Sequence, residues 1–217
     1  MSAVFWEYEL LTRWGDHDEP LCLGERIKKG TFRPCHKQAI PFSSIVGALR
    51  SHLGKDLTTD IFATGYLTGY DSVEYFVMAP TDAALRTVKP PAPISVQFLR
   101  GARGRVFIDV TDSQMQSALE AESPEFEITL GAMKSTGFGR CLLRRSPNAV
   151  STEPVAGKLL TRIPEKLSER FGITEVVKPV YGYLFEPSDL ETGKYVRALC
   201  EDSEVRGYGF LVKGSDE

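Results

Sequence analysis

The sequence predicts an α+β fold of ferredoxin-like (RRM-like) order: an antiparallel sheet with helices on one face, followed by a β-rich extension. Three observations predict it. Short runs of alternating apolar and polar residues recur along the chain, two longer segments carry helical signals, and the two kinds follow one another as strand, helix, strands, helix, strand. After about Ser146 the chain turns polar and proline-bearing. That shift divides it into a ferredoxin-like unit at 1–147 and an extension at 148–217 that we expect to pack on the same core.

The first strand is "VFWEYELL", Val4 to Leu11, whose apolar and polar residues alternate with aromatic enrichment. A long connection from about Thr12 to Ile40 follows; loops of that length are usually functional. "IPFSSIVGALRSHLG" is the clearest helix. Ile45, Leu49 and Leu53 recur every four residues, Ser43 or Ser44 is expected to cap its start, and Gly54 to end it. Gly47 inside it suggests tight packing or close approach of another backbone. "VEYFVMAP" reads as a strand, and "PISVQFL" with "RVFIDV" as a hairpin joined by "RGARG". A capping box, Thr111 with Gln114, opens a second helix in "TDSQMQSALEAE". "EFEITL" and "RCLLRR" are strands on either side of "GAMKSTGFGR". The extension is expected to hold a short helix from Pro164 to Phe171 and strands at "PVYGYLF", "YVRALC" and "YGFLVK".

The 217 residues are 42 % hydrophobic and 25 % charged, which is ordinary for a globular protein. The N-terminus lacks a basic segment followed by an apolar run, and no apolar stretch approaches about 18 residues. The chain therefore reads as cytoplasmic, with no membrane partner. Cys22, Cys35, Cys141 and Cys200 lie far apart with no C-x-x-C pair, so they read as buried thiols, with neither a metal site nor a cofactor expected.

The net charge of −3 does not point to a nucleic acid, but its distribution does. Gly24 to Lys37 is net +4, Leu99 to Arg105 net +3 and Gly131 to Val150 net +4, which leaves the remainder at −14. Basic segments that coincide with glycine-rich connections suggest an anion-binding face on an acidic body.

"GAMKSTGFGR", residues 131–140, places Lys-Ser-Thr beside glycines as a phosphate-gripping ATPase loop does. The match fails: Met133 stands where the glycine before the lysine is required, Ile128 where the first glycine is, and a strand follows where a helix is needed. The glycines can still expose amides to an anion, helped by Lys134, Arg140 and the hydroxyls of Ser135 and Thr136. Phe138 either stacks on a base or plugs the core.

Two stretches together carry a family resemblance. "IPFSSIVGALRSHL" resembles the I-P-G-S-S-[LI]-K-G-A-[LI]-R segment of the RAMP superfamily, the ferredoxin-fold RNA-binding subunits of CRISPR effector complexes. "LGAMKSTGFGR" resembles that superfamily's glycine-rich loop, and "YGYLFEP" a C-terminal stretch of some members. Phe42 stands in place of the family glycine and Val46 in place of its lysine, while Ser43, Ser44, Gly47 and Arg50 match. The resemblance implies CRISPR RNA as partner, other effector subunits beside it, and a target nucleic acid as a further partner. Its RNA-binding residues would be Ser43, Ser44, Gly47 and Arg50 with Gly131, Lys134, Ser135, Thr136, Gly137, Phe138, Gly139 and Arg140. Arg26, Lys28, Lys29, Arg33, Arg100, Arg103 and Arg105 would neutralise phosphate charge, and Phe32 could stack on a base.

The resemblance also implies two enzymatic alternatives. Target-cleaving members use an aspartate ahead of I-P-x-S-S, where this chain has Glu25 and no aspartate, with Asp16 and Asp18 further upstream. Repeat-cutting members use a histidine as general base, for which His36 and His17 are the candidates; His52, inside the helix, reads as structural. The expected role is a non-catalytic RNA-binding subunit, with a metal-independent endoribonuclease and a protein-binding ferredoxin-like domain as alternatives.

Overall fold

The computed structural model describes residues 4–24, 32–54, 59–79, 81–82, 87–88, 93–147, 150–187 and 193–214. Its strands and helices in chain order are β1 (Phe5–Leu11), β2 (Phe32–Arg33), β3 (Ala39–Ile40), α1 (Phe42–Leu53), β4 (Ala63–Gly69), β5 (Ser72–Met78), β6 (Ile94–Arg100), β7 (Arg103–Asp109), α2 (Ser113–Ala121), β8 (Glu125–Thr129) and β9 (Arg140–Arg145). The extension adds β10 (Pro154–Leu159), β11 (Ile163–Pro164), β12 (Glu175–Lys178), β13 (Tyr181–Pro187), β14 (Gly193–Leu199), β15 (Glu204–Tyr208) and β16 (Val212–Gly214). Four further two-residue strands pair as Arg13–Trp14 with His17–Asp18 and Thr81–Asp82 with Thr87–Val88.

The main sheet runs β8-β9-β1-β7-β4-β3, antiparallel throughout. Its central order β9-β1-β7-β4, with α1 and α2 as the crossovers, is that of a ferredoxin-like β-α-β-β-α-β unit. Alternation along the strands puts Tyr8, Leu10, Val106 and Ile108 on one face, where they are sealed by Ile45, Ala48 and Leu49 of α1 and by Met115 and Leu119 of α2. Part of the other face, at Phe5 and Phe107, is covered by Leu159, Ile163, Phe171 and Leu199 of the extension. Phe107 and Phe210 stack at 4.5 Å there. Two polar joints, one part-buried and one buried, cross the same boundary. Arg170 Nε donates to Asp109 Oδ2 at 2.8 Å, and Thr161 donates to the Gly65 carbonyl at 2.7 Å while accepting from Thr64 at 2.7 Å.

Several local expectations are corrected. Helix α1 begins at Pro41 with no side-chain cap; the Ser44 and Ile45 amides donate to the Pro41 carbonyl, so neither serine closes the end. Helix α2 is capped by Asp112, which accepts from the Gln114 and Met115 amides, while Thr111 accepts from the Val4 amide instead. A Cβ on Gly47 would meet nothing within 4 Å, so close approach does not explain that glycine. The expected hairpin of residues 93–110 does not form. β6 joins a separate three-stranded sheet, β2-β6-β5, and β7 the main one, because Gly101 at φ 57° turns the chain between them. In the extension, the expected helix is a single 3₁₀ turn, Glu165–Leu167, and the strand at "YGFLVK" is split into β15 and β16.

Candidate nucleic-acid interface

The loop between β8 and β9 is built by backbone conformations that favour glycine. Gly131, Gly137 and Gly139 have φ of 84°, 86° and 88°, and Met133 shares the left-handed region at 63°. A Cβ on Gly131 would strike the Cys22 carbonyl, and one on Gly139 the Leu130 carbonyl, whereas Gly137 faces open space. The Gly139 amide donates to the Pro20 carbonyl at 2.8 Å and the Gly137 amide to the Lys134 carbonyl at 3.1 Å. These two amides are thus taken up inside the protein. Thr136 is exposed, with its hydroxyl donating to the Met133 carbonyl at 2.8 Å. The outward groups are the exposed Lys134 and Ser135 side chains. Partial burial of the Lys134 ammonium lowers its pKa.

Phe138 resolves to a core plug: it is buried, edge-on to Phe98 at 5.1 Å and 5.8 Å from Phe76. Phe32 is exposed and lies 6.3 Å from Tyr75.

Ser43, Gly47 and Arg50 share one stripe of α1, opposite the buried Ile45, Ala48 and Leu49. Ser43 and Ser44 line a cavity of about 730 Å³ together with Gly24 and His36. The opposite wall comes from the extension, through Arg162, Tyr181, Tyr183 and Tyr195. The glycine-rich loop rests on Pro20 and Cys22, and Gly24 lines this cavity. Cys22 and Gly24 are two residues apart, a span of at most about 7 Å. The two motifs, some 90 residues apart in the sequence, therefore flank the single segment Pro20–Gly24.

The arginines expected to form a basic face are largely paired. Arg100 donates to the Asp18 carbonyl at 2.7 Å, Arg103 to Asp71 at 3.2 Å, and Arg105 lies 3.5 Å from Glu7. Arg140 grips Glu127 through Nε at 3.0 Å and Nη2 at 2.8 Å, and that hydrogen bond raises its pKa. Counting charge along the chain missed these acids because they arrive from other strands. Arg33 is half-buried, and its Nε finds no hydrogen-bond partner among the described residues. Arg26, Lys28, Lys29 and Glu25 lie outside the described residues.

Each histidine has a neighbouring carboxylate. His17 stacks on Trp14 at 4.9 Å, with Nδ1 3.7 Å from Glu19. His36 Nδ1 lies 4.0 Å from Glu201, and His52 stacks on Phe126 with Nε2 3.2 Å from Glu122. The four cysteines are buried and free. A hydrogen bond between Cys22 and Cys35 lowers the pKa of the first and, with burial, raises that of the second. Among the described residues no three His, Cys, Asp or Glu side chains group to hold a metal, and no helix is long and apolar enough to cross a membrane.

The sequence reading missed the tyrosines of the extension as site residues. "YGYLF" did carry the signal: alternation puts Tyr181, Tyr183 and Phe185 on one side of a strand.

No protein-family profile and no curated protein matches the chain. Among solved structures it is similar to a chain of a type III-B Cmr-beta complex bound to cognate target RNA, at 16 % identity and a TM-score of 0.40, over 94 % of this chain and 65 % of that one. A second structure of Cmr-beta, bound to cognate target RNA and AMPPnP, gives the same identity and TM-score, with 67 % of that chain covered. The protein thus spans about two thirds of the length of these structural neighbours.

Proposed function

We propose that this protein is a non-catalytic RNA-binding subunit of a multi-subunit CRISPR effector complex, holding a guide RNA by its backbone. The observation that carries the reading is a convergence in space: the two stretches that resemble RAMP motifs flank Pro20–Gly24. Its phosphate contacts are the exposed Lys134, Ser135 and Arg50 and the cavity-lining Ser43 and Ser44, since most of the other cations are paired. Phosphate contacts fix the RNA in register without reading its sequence, as suits a subunit that carries many different guides. Its partners are the guide, neighbouring effector subunits and, through the guide, a target strand.

Filter binding of single-stranded RNA across a salt series tests the reading. The parent should bind with affinity falling steeply as salt rises. Lys134→Ala with Arg50→Ala should lower the salt slope by about two, one for each cation withdrawn from a phosphate. Failure of the parent to retain RNA at every salt, or an unchanged slope in the variant, would overturn it. The non-catalytic part is tested by incubation with CRISPR repeat RNA: no specific cut is expected, and cleavage abolished by His36→Ala would establish the endoribonuclease alternative instead.

A further inference from the structure

The extension presents a group of exposed aromatic rings, of which Tyr195 packs edge-on to Phe185 at 5.4 Å. β13 and β14 pair antiparallel, with Tyr181 opposite Leu199, Tyr183 opposite Arg197 and Phe185 opposite Tyr195. Directly opposed residues share a face, so Tyr181, Tyr183, Tyr195 and Arg197 stand together on one side of this hairpin. Tyr181 is 46 % exposed, Tyr183 65 % and Tyr195 51 %. The Arg197 guanidinium lies 4.0 Å from the Tyr181 ring centre and is held there by Glu165 at 2.7 Å. Tyr181, Tyr183 and Tyr195 also line the 730 Å³ cavity that Ser43 and Ser44 line at the start of α1.

We infer that this cavity takes a nucleotide of single-stranded RNA, its base stacked on the tyrosines and its phosphate turned toward Ser43 and Ser44. The inference rests on the RNA-binding role proposed above and adds to it the element that holds bases. The volume lies within the range of about 300–1,000 Å³ found for small-ligand sites. Charge sets the orientation. Arg162 is engaged by Glu201 through two hydrogen bonds of 3.1 Å, and Asp202 adds a second carboxylate to the lining. Such a wall disfavours a phosphate and accepts hydrogen bonds from base amino groups. The first turn of α1 carries no acidic residue, so phosphate is tolerated on that side. Tyr183 and Tyr195, the two most exposed of these rings, offer surface for sequence-tolerant base stacking beside the Arg197-capped Tyr181.

Fluorescence anisotropy with a labelled 12-nucleotide single-stranded RNA tests this. Tyr183→Ala with Tyr195→Ala should raise Kd about tenfold or more while leaving the salt slope unchanged, since rings and not cations are removed. The paired Tyr→Phe variant should bind as the parent does, because it keeps the stacking faces. Both variants should keep the parent's Tm, as the rings are exposed. A parent that binds RNA together with an Ala pair that binds equally well overturns this inference alone. A parent that binds none at any salt overturns the RNA-binding role and this site with it. Unchanged RNA affinity with altered self-association of the Ala pair would mark the hairpin as a protein interface, and would overturn it too.

Discussion

The open half of the main sheet and the tyrosine face of the extension are both exposed β surfaces, yet they are built on opposite plans. Across the main sheet the register aligns Glu125, Arg144, Glu9 and Arg105 in one row, acid and base alternating over β8, β9, β1 and β7. Arg144 reaches Glu125 at 2.6 Å and Glu9 at 3.6 Å, so the row satisfies itself. On the hairpin Arg197 is matched to Glu165 and covers Tyr181, while Tyr183 and Tyr195 keep more than half of their surface exposed. A ligand arriving at the first surface must displace ion pairs; one arriving at the second need only displace water. The charge that a ligand meets is therefore not the charge counted along the chain.

The comparison holds only if both surfaces belong to one folded body, and the largest expected effect comes from breaking the joint between them. Asp109 is 1 % exposed at its side chain and paired with Arg170, which is 39 % exposed. Arg170→Ala leaves that carboxylate buried with the Thr111 amide as its remaining donor. Because the pair is partly open to water, we expect a destabilisation of about 2–3 kcal/mol rather than the full value of a buried pair. For a chain of this length that corresponds to a fall in Tm of about 4–12 °C. A Tm within a degree of the parent would mean that the Arg170–Asp109 pair adds nothing to the apolar contacts and the Thr161 hydrogen bonds that hold the extension.

The next effect separates the loop glycines by what stands beside them. Gly139→Ala must force a Cβ into the Leu130 carbonyl at φ 88°, and should cost about 3 kcal/mol in chemical denaturation. Gly137→Ala has the same backbone strain and free space around it, and should cost about 1 kcal/mol. Equal costs would show that crowding plays no part in the choice of glycine.

Much of this architecture was legible in the sequence. The β1 pattern, the four-residue recurrence in α1 and the strand–helix order were enough to give the main sheet, because each rests on a local period. β4 was not seen: in "ATGYLTG" two glycines break up the strand-forming Thr64, Tyr66 and Thr68, and Gly65 lets the Arg105 carbonyl approach where a side chain would block it. The assignment of β6 and β7 to one hairpin failed for a related reason, since nothing local to "RGARG" says which sheet each arm will join. At the candidate site, Ser43 and Ser44 are half-buried and line the cavity, while Lys134 is exposed. Phe138 and the sheet arginines are engaged by partners from distant strands, which no local reading can foresee.

The smallest effect sharpens the comparison most. Glu127→Ala releases Arg140 from its two hydrogen bonds and leaves it Glu19 at 3.7 Å; the Arg140 and Glu127 side chains are both more than 40 % exposed. Stability should change by less than about 1 kcal/mol, as for other exposed pairs. If the open half of the main sheet is a bystander, the loosened guanidinium finds no phosphate, and the salt slope of RNA binding stays that of the parent. Arg140 sits at the exit of the glycine-rich loop, so it is the cation of this sheet best placed to refute that expectation. A slope steeper by about one would mean that RNA crosses the charged row, with its ion pairs acting as a brake on binding.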